Sequence, residues 1–577
     1  MKILLIYPYF IENRIQGEDI QAVPIGVYYI AAILKENHYD VEILNWHDIH
    51  VTPEKIEKAL LEKKPDVIGF SILNANRWGG IEIARIAKKL DPKMKIVFGG
   101  IGASFLWEHF LKHFPEIDFV ITGEGEYAFL DLIRWIEKGD SEGLNNIKGI
   151  VFREKGKIVK TQDADLIPHL DQLPIPAKYF EYQMLSSSRG CPWKCTFCGS
   201  PEFWRKKIRF RSPENFVEEL EMLYQKGITF FYFSDDTFTI DNGRVIEICK
   251  RIIEKKMEIS WYAISRVNYV NDEVLYWMRK AGCTQISYGI ESGSKKIRDL
   301  LNKKIDTAQI KKAFKLTGRY GILPRAYFIY GSPGETWETI QESIDLILEI
   351  KPLCIIFYIL DLFPGTELYS NFKKKFHVKD DIWLNRIESI MYFETDPDLS
   401  DQLILDFGKK LRTEFYKNIH TSIDAIDLKD EKELYPMHSD FCSRLGMTFS
   451  HGDYSHIEAI QEKDKIAEKL FEKSLSYYPN LRAYLGLGIL NQKKRSYEQS
   501  IEILSQGVES FPDSMELNIC LGISYMNLND YNSALSCLLK FPDSKEAHYH
   551  IARCYKELGD YEKESLFLKK SSNLDEE

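Results

Sequence analysis

Ser188-Arg-Gly-Cys-Pro-Trp-Lys-Cys-Thr-Phe-Cys-Gly199 sets Cys191, Cys195 and Cys198 in a CxxxCxxC spacing. Three thiolates so spaced suit three corners of a [4Fe–4S] cube, whereas clusters that only carry electrons usually take four cysteines. One iron is then left open, and an open iron binds and activates a substrate. The rival reading, a zinc knot, wants four ligands at tetrahedral geometry. The nearest upstream histidine is His169 and the next cysteine is Cys249, so a fourth ligand would have to fold back from a distance. A structural disulfide fits worse, because three clustered thiols cannot pair evenly and no secretory h-region is expected.

The run resembles the signature of the radical S-adenosylmethionine (SAM) superfamily. The resemblance implies that the open iron chelates the amino and carboxylate groups of SAM. It implies further that an electron, supplied by a flavodoxin- or ferredoxin-type donor, splits the sulfonium to a 5′-deoxyadenosyl radical. It also sets Phe197 beside the adenine; burial in the core is the ordinary alternative for a phenylalanine.

At 577 residues the chain has length for about three or four domains. A hydrophobic share of 44% with 28% charged residues is that of globular protein. No apolar run is long enough to span a bilayer. The start, Met1-Lys-Ile-Leu-Leu-Ile-Tyr-Pro8, reads as a buried strand rather than a signal peptide. A formal charge of −10 argues against nonspecific nucleic-acid binding, although it leaves room for a local basic patch such as Arg205 to Arg211. No nucleic-acid partner is expected. An oxygen-labile cluster suits a reduced, cytoplasmic setting.

Residues 1–140 alternate apolar strands with helical patterns: strands at Ile3–Tyr7, Val41–Leu44, Asp66–Ser71, Lys95–Phe98 and Phe119–Thr122, helices between. That alternation predicts an α/β, doubly wound (Rossmann-like) parallel sheet, with ligands at the carboxyl ends of its strands. Those ends read Ser71-Ile-Leu73, Gly99-Gly100 and Gly123-Glu-Gly-Glu126. Glycines there let backbone approach a large flat ligand. The set resembles the cobalamin-binding domain that precedes many radical SAM cores, which makes Ser71, Leu73, Gly99, Gly100, Gly123, Glu124, Gly125 and Glu126 cobalamin candidates. The family's Asp-x-His-x-x-Gly is missing: Pro8 to Pro24 hold no histidine, and His47 and His50 follow the second strand as expected surface residues. Cobalamin is therefore expected base-off, without a protein histidine on cobalt. A sheet that has lost its corrin is the alternative.

Residues 141–180 read as a linker with a short strand pair, Lys148–Arg153 and Lys157–Lys160. Alternation resumes over 181–370, with strands at Met184–Ser188, Phe230–Ser234, Ser260–Ile264, Gln285–Ile290, Arg325–Tyr330 and Ile355–Leu360. Six such units predict a partial (βα)6 barrel whose site lies at the strand carboxyl ends. Ser234, Asp235, Asp236 and Thr237 end the second strand, where relatives bind the ammonium of SAM. Ser265 and Arg266 end the third, the arginine suited to the SAM carboxylate. Glu291 ends the fourth as a cofactor or ribose contact, and Gly331-Ser-Pro-Gly-Glu-Thr336 ends the fifth. The alternatives are helix caps at Asp235, Asp236 and Glu335, and a bare turn at Gly-Ser-Pro-Gly.

Residues 371–457 read as a helical extension and linker, with a helix near Asp401–Tyr416 and charge through Asp427–Glu433. An internal repeat then covers 458–577. Tyr497 and Tyr531, like Gly488 and Gly522, lie 34 residues apart, and Pro479 and Pro512 lie 33 apart. That period resembles all-α tetratricopeptide (TPR) helix pairs, whose stacked surface suits a protein partner. A mere cap or dimer contact is the alternative.

Together the resemblances imply a cobalamin-dependent radical SAM methyltransferase acting on an unactivated carbon of a small-molecule, peptide or carrier-bound substrate. A first SAM would methylate reduced cobalt, and a second would yield the radical. Cyclisation or oxidative rearrangement with the same cofactors is the alternative. A methylthiotransferase would carry further cysteines in residues 1–190, which have none. A third reading is a recruitment protein with a vestigial cluster. No catalytic residue is legible.

Overall fold

The computed structural model describes residues 1–11, 22–47, 52–139 and 143–572. The chain forms two compact units, residues 1–316 with 324–412, and residues 317–323 with 413–577.

The first unit holds two sheets. In one, β1 (Lys2–Tyr7), β2 (Asp40–Asn45), β3 (Val67–Ser71), β4 (Lys95–Gly99) and β5 (Phe119–Ile121) run parallel in the order 2-1-3-4-5. Apolar side chains alternate to its two faces. Leu4, Ile6, Ile68, Phe70, Ile96 and Phe98 point one way, and Ile3, Leu5, Val67, Val97 and Phe119 the other. Both faces are covered, as a wholly parallel sheet requires. The strand pair read as a linker is in fact part of this sheet. β6 (Ile150–Glu154) pairs antiparallel with β5, and β7 (Lys157–Lys160) with β6. Its physical reason is edge cover: Ile150, Val151 and Phe152 bury beside a strand of only three residues. His47, expected at the surface, is instead buried, its ring 5.7 Å from that of Phe10. His50 lies outside the described residues.

The second sheet orders β8 (Met184–Leu185), β11 (Phe230–Phe233), β12 (Ser260–Ser265), β13 (Cys283–Glu291), β14 (Leu323–Tyr330) and β15 (Cys354–Ile359) in sequence, an open partial barrel. Between them β9 (Ser188–Arg189) and β10 (Arg209–Phe210) make a separate antiparallel ribbon. The expected strand Met184–Ser188 therefore breaks after Leu185. The carboxylate of Asp235 causes the break, since it accepts the Ser187 N–H at 3.0 Å and the hydroxyls of Ser187 and Ser188.

One face of these strands packs on helices: Phe233 meets Phe216 at 5.1 Å, and Tyr288 meets Phe314 at 5.6 Å. The opposite face lines the barrel lumen, and there Tyr232, Ile264 and Tyr358 stay exposed at 43%, 39% and 38%. Closed barrels fill that space with packed side chains. Here that face is aromatic, with Tyr232 against Tyr262 at 5.5 Å and Tyr327 against Tyr358 at 5.7 Å.

The chain from 371 to 412 belongs with the first unit. Buried Arg77 donates to the carbonyls of Ile387 and Glu388 and lies over Trp383 at 4.6 Å. The second unit is helical, and its helix pairs start before residue 458. The helix Tyr435–Ser450 packs on Lys463–Tyr477, because Gly446 lets the Phe471 ring in where a Cβ would stand 2.6 Å away. Three pairs follow, beginning at Leu481, Met515 and Lys545. Their first helices are capped alike by Asn480, Ser514 and Ser544. Gly488 and Gly522, the repeat's small residues, admit Leu504 and Leu538. Among the described residues no helix is long and apolar enough to cross a membrane.

Candidate cofactor site

A cavity of about 370 Å³ opens at the carboxyl ends of the first sheet. All eight cobalamin candidates line it: Ser71, Leu73, Gly99, Gly100, Gly123, Glu124, Gly125 and Glu126. Its inner wall is apolar, from Leu5, Val97, Ile121 and Phe129. Its outer wall comes from Arg189 and Gly190 of the cysteine loop and from Ser234 and Asp236 at the end of β11.

Glycine keeps this space open. Gly100 has φ +92°, and a Cβ there would stand 2.8 Å from the Ile72 carbonyl oxygen. A Cβ on Gly69, inside β3, would meet Leu5 at 2.8 Å and Phe129 at 3.1 Å. Gly69 was not among the sequence candidates, although a glycine inside a strand signals close approach. The loop ends are tied together. Leu73 N–H donates to Asn76 Oδ1 at 2.8 Å, and Gly123 N–H to Ser104 Oγ at 3.0 Å.

Glu124 and Glu126 line the cavity, but their oxygens are committed to arginines. Arg189 donates through Nη1 to Glu124 and through Nη2 to Glu126, both at 2.6 Å. Glu124 also takes Arg209 at 2.7 Å and the Ile167 N–H at 2.7 Å. Arg189 lies over the Tyr29 ring at 5.0 Å, and its neighbouring carboxylates hold its pKa above the ordinary arginine value despite burial. Two residues on, Cys191 begins the cysteine triad, so this buried clamp fixes the triad to the first sheet. Arg211 is likewise turned inward, onto buried Glu219. Of the basic run, Arg209 and Arg211 are thus turned inward, while Arg205, Lys206 and Lys207 stay exposed.

The three thiols are partly buried, free and close enough to interact. Burial, with the charges of Asp236, Cys195 and Cys191, pushes Cys198 up to about 12. Thr237 Oγ1 is 3.8 Å from Cys191 Sγ, and Arg266 Nη1 is 3.7 Å from Cys195 Sγ. Arg266 is braced over Trp193 at 4.1 Å and by the Lys303 carbonyl, so its charge faces sulfur. Phe197 is half-buried and packs on the first unit's core.

The remaining SAM candidates divide by where their polar atoms go. Ser234 and Asp236 reach the cavity, although Ser234 donates to the Leu185 carbonyl at 3.0 Å and Ser200 donates to Asp236 at 2.8 Å. Asp235 and Ser265 do not reach it: the first ties down Ser187 and Ser188, and the second bonds Thr239 in the interior. Glu291 stands at φ +68° and pairs with Lys303 at 2.5 Å, a pair that Gly289 accommodates by lacking a side chain. Glu335 does not cap the next helix with its side chain. It accepts the N–H groups of Gly331 and Ser332 and closes the fifth strand's loop.

Comparison with known proteins agrees with this geometry. The Radical SAM superfamily model matches residues 185–347, a B12 binding domain model 21–133, and a tetratricopeptide repeat model 545–577. An uncharacterized methyltransferase of Pyrococcus horikoshii is 33% identical over 382 residues, 64% of this chain and 83% of its own. An anaerobic magnesium-protoporphyrin IX monomethyl ester cyclase of Rubrivivax gelatinosus is 28% identical over 422 residues, 70% and 75% of the two chains. The radical S-adenosylmethionine methyltransferase TsrM of Kitasatospora setae shares the fold, with a TM-score of 0.56 at 18% identity, covering 65% of this chain and 76% of its own. The chain belongs to the radical SAM superfamily, in the branch that carries a B12-binding domain.

The cofactors of that branch are a [4Fe–4S] cluster, SAM and cobalamin, and the residues present fit them. Three converging thiols with an arginine beside them suit a cluster. The apolar, glycine-walled cavity suits the close approach of a large flat ligand.

Arg189→Ala leaves two buried carboxylates short of a partner, a change that costs about 3–5 kcal/mol. Denaturant unfolding of the holoprotein is expected to read that loss, together with a lowered iron content. A loss under about 1 kcal/mol would mean that the clamp adds no more than a surface pair. Burial lifts the Glu335 carboxyl from 4.5 to about 7, against the backbone N–H groups of Ser332 and Gly331. The folded state then holds this proton more tightly than the unfolded one, so stability falls as pH rises between those values. Glu335→Gln is expected to flatten that slope in thermal melts across the window; an unchanged slope refutes the assignment.

Proposed function

We propose that this protein is a cobalamin-dependent radical SAM enzyme that methylates an unactivated carbon. One observation carries the reading: the cavity lined by the eight cobalamin candidates also reaches Ser234 and Asp236, beside the cysteine loop. Both cofactors then face one space, which radical chemistry requires because a carbon radical must be quenched where it forms.

When bound, the cluster with SAM supplies a hydrogen-abstracting radical and cobalamin supplies the methyl group. The chain's own residues bind and orient. Cys191, Cys195 and Cys198 hold the cluster, and Arg266 offsets thiolate charge at Cys195. Asp236, with Ser234, offers oxygen acceptors to the ammonium of SAM, while Phe197 borders its adenine and Glu291 its ribose. Asp235, Thr237 and Ser265 act as positioning residues that shape the strand ends. Gly99, Gly100, Gly123 and Gly125 admit cobalamin along the backbone, and Ser71 and Leu73 flank its nucleotide tail. Cobalamin would bind here base-off, without a protein histidine on cobalt. Glu124 and Glu126 act through Arg189, holding the cluster loop against the first sheet.

The barrel lumen receives the substrate. Tyr232, Tyr262, Tyr327 and Tyr358, with Ile264, present ring faces and apolar surface to a flat or apolar molecule and exclude water around it. The repeats of residues 435–572 offer a surface for a protein partner, an electron donor or a carrier that delivers substrate.

A second reading, cyclisation or oxidation with the same cofactors, is favoured by the relative named as a magnesium-protoporphyrin cyclase. Product analysis separates the two. The anaerobic holoenzyme, given SAM, a reductant and small-molecule extract of its host, is expected to form S-adenosylhomocysteine and 5′-deoxyadenosine in equal amounts. 5′-Deoxyadenosine without S-adenosylhomocysteine refutes methylation, and consumption of added magnesium-protoporphyrin monomethyl ester would favour the cyclase reading.

A further inference from the structure

Outside the cofactor cavity, three metal-ligating side chains converge. His109 and His113 lie one turn apart on the helix Trp107–His113, and Asp381 sits in the short 3₁₀ turn Asp380–Leu384 that follows the barrel. One ligand atom from each lies within 4.8 Å of the others. His113 Nε2 is already 2.9 Å from Asp381 Oδ1. Bonds of about 2.0–2.1 Å at a tetrahedral centre put ligand atoms about 3.3 Å apart, so small side-chain rotations complete the geometry.

His109 is the second observation. It is only 3% exposed, and neither of its ring nitrogens has a hydrogen-bond partner among the described residues. Buried imidazoles ordinarily satisfy at least one nitrogen, because an orphaned polar group costs about 1–3 kcal/mol. A metal ion would satisfy one of these nitrogens. The nearby cations are otherwise engaged: Arg77 is spent on the carbonyls of Asn74, Ile387 and Glu388, and Lys112 reaches Asp381 only at 3.4 Å. Asp380 adds negative charge beside the site.

We propose that His109, His113 and Asp381 bind a zinc ion, with water completing the fourth position on the exposed Asp381 side. Two imidazoles and one carboxylate match zinc's preference for nitrogen and oxygen donors. The i, i+4 histidine pair matches the spacing of helical zinc proteases, but the residue after the first histidine is Phe110, where those enzymes carry a glutamate base. The ion is therefore a structural staple. It ties a helix of the first sheet's layer to the turn after the barrel.

Holoprotein reconstituted anaerobically, with iron filling the cysteine triad, is dialysed against dilute zinc, counted for metal and read by zinc K-edge absorption. The expected result is about one zinc per chain, with nitrogen and oxygen neighbours at about 2.0–2.1 Å and imidazole scattering. His113→Gln and Asp381→Asn, both partly exposed positions, are each expected to lower zinc at least tenfold at unchanged iron content. Less than a tenth of an equivalent in the parent overturns the proposal, as do sulfur neighbours at about 2.3 Å or zinc retained in both variants. The parent's count and spectrum decide the matter if a variant fails to fold.

Discussion

The site depends on one buried ion pair set: Arg189 held between Glu124 and Glu126. Glu124 lies in the loop after β5 of the first sheet and Glu126 opens the helix that follows, and Arg189 stands two residues before the first cluster cysteine. Desolvating such charges is expensive, and only the two short Arg189 bonds and the added donors Arg209 and Ile167 N–H repay it. What the arrangement secures is position. The loop that would carry the cluster and the strand ends that would carry cobalamin cannot drift apart without stranding two carboxylates in the interior.

Around that clamp the fold is built by omission of side chains. Gly69, Gly99, Gly100, Gly123 and Gly125 all lie on the cavity wall. At Gly100 even a methyl group would collide with backbone. The barrel applies the same economy at a larger scale. Its outward faces bury Phe233 and Tyr288 against helices, while its inward face leaves tyrosines uncovered. The first sheet's cavity and the barrel's exposed aromatic face are the two surfaces that the proposed reaction would use.

Strands were the most legible part of the chain, because a buried parallel strand is a short apolar run and its carboxyl end is where ligands bind. That is why Ser71, Gly100 and their neighbours stand out in the sequence, and all eight line one cavity. The partners of charged groups were not legible. Glu124 and Arg189 are 65 residues apart, and nothing local marks them as a pair. Asp235 and Asp236 look alike in sequence, but in the turn after β11 one points inward onto Ser187 and Ser188 and the other faces the cavity. The tyrosine lumen was hidden because Phe230 to Phe233 is aromatic throughout, so no alternation separates its faces. The helix pair that opens the second unit was not legible as part of the repeat, because Gly446 lies 42 residues before Gly488, outside the 34-residue period.

The central claim is that one cavity serves both cofactors. Its most direct test is anaerobic purification from cells supplied with cobalamin, followed by cluster reconstitution, metal counts and a visible spectrum. The account predicts about four irons per chain, as a [4Fe–4S] cluster requires, and near-stoichiometric corrinoid with a base-off spectrum. Iron without corrinoid, despite ample supply, would contradict it and leave the first sheet as a scaffold.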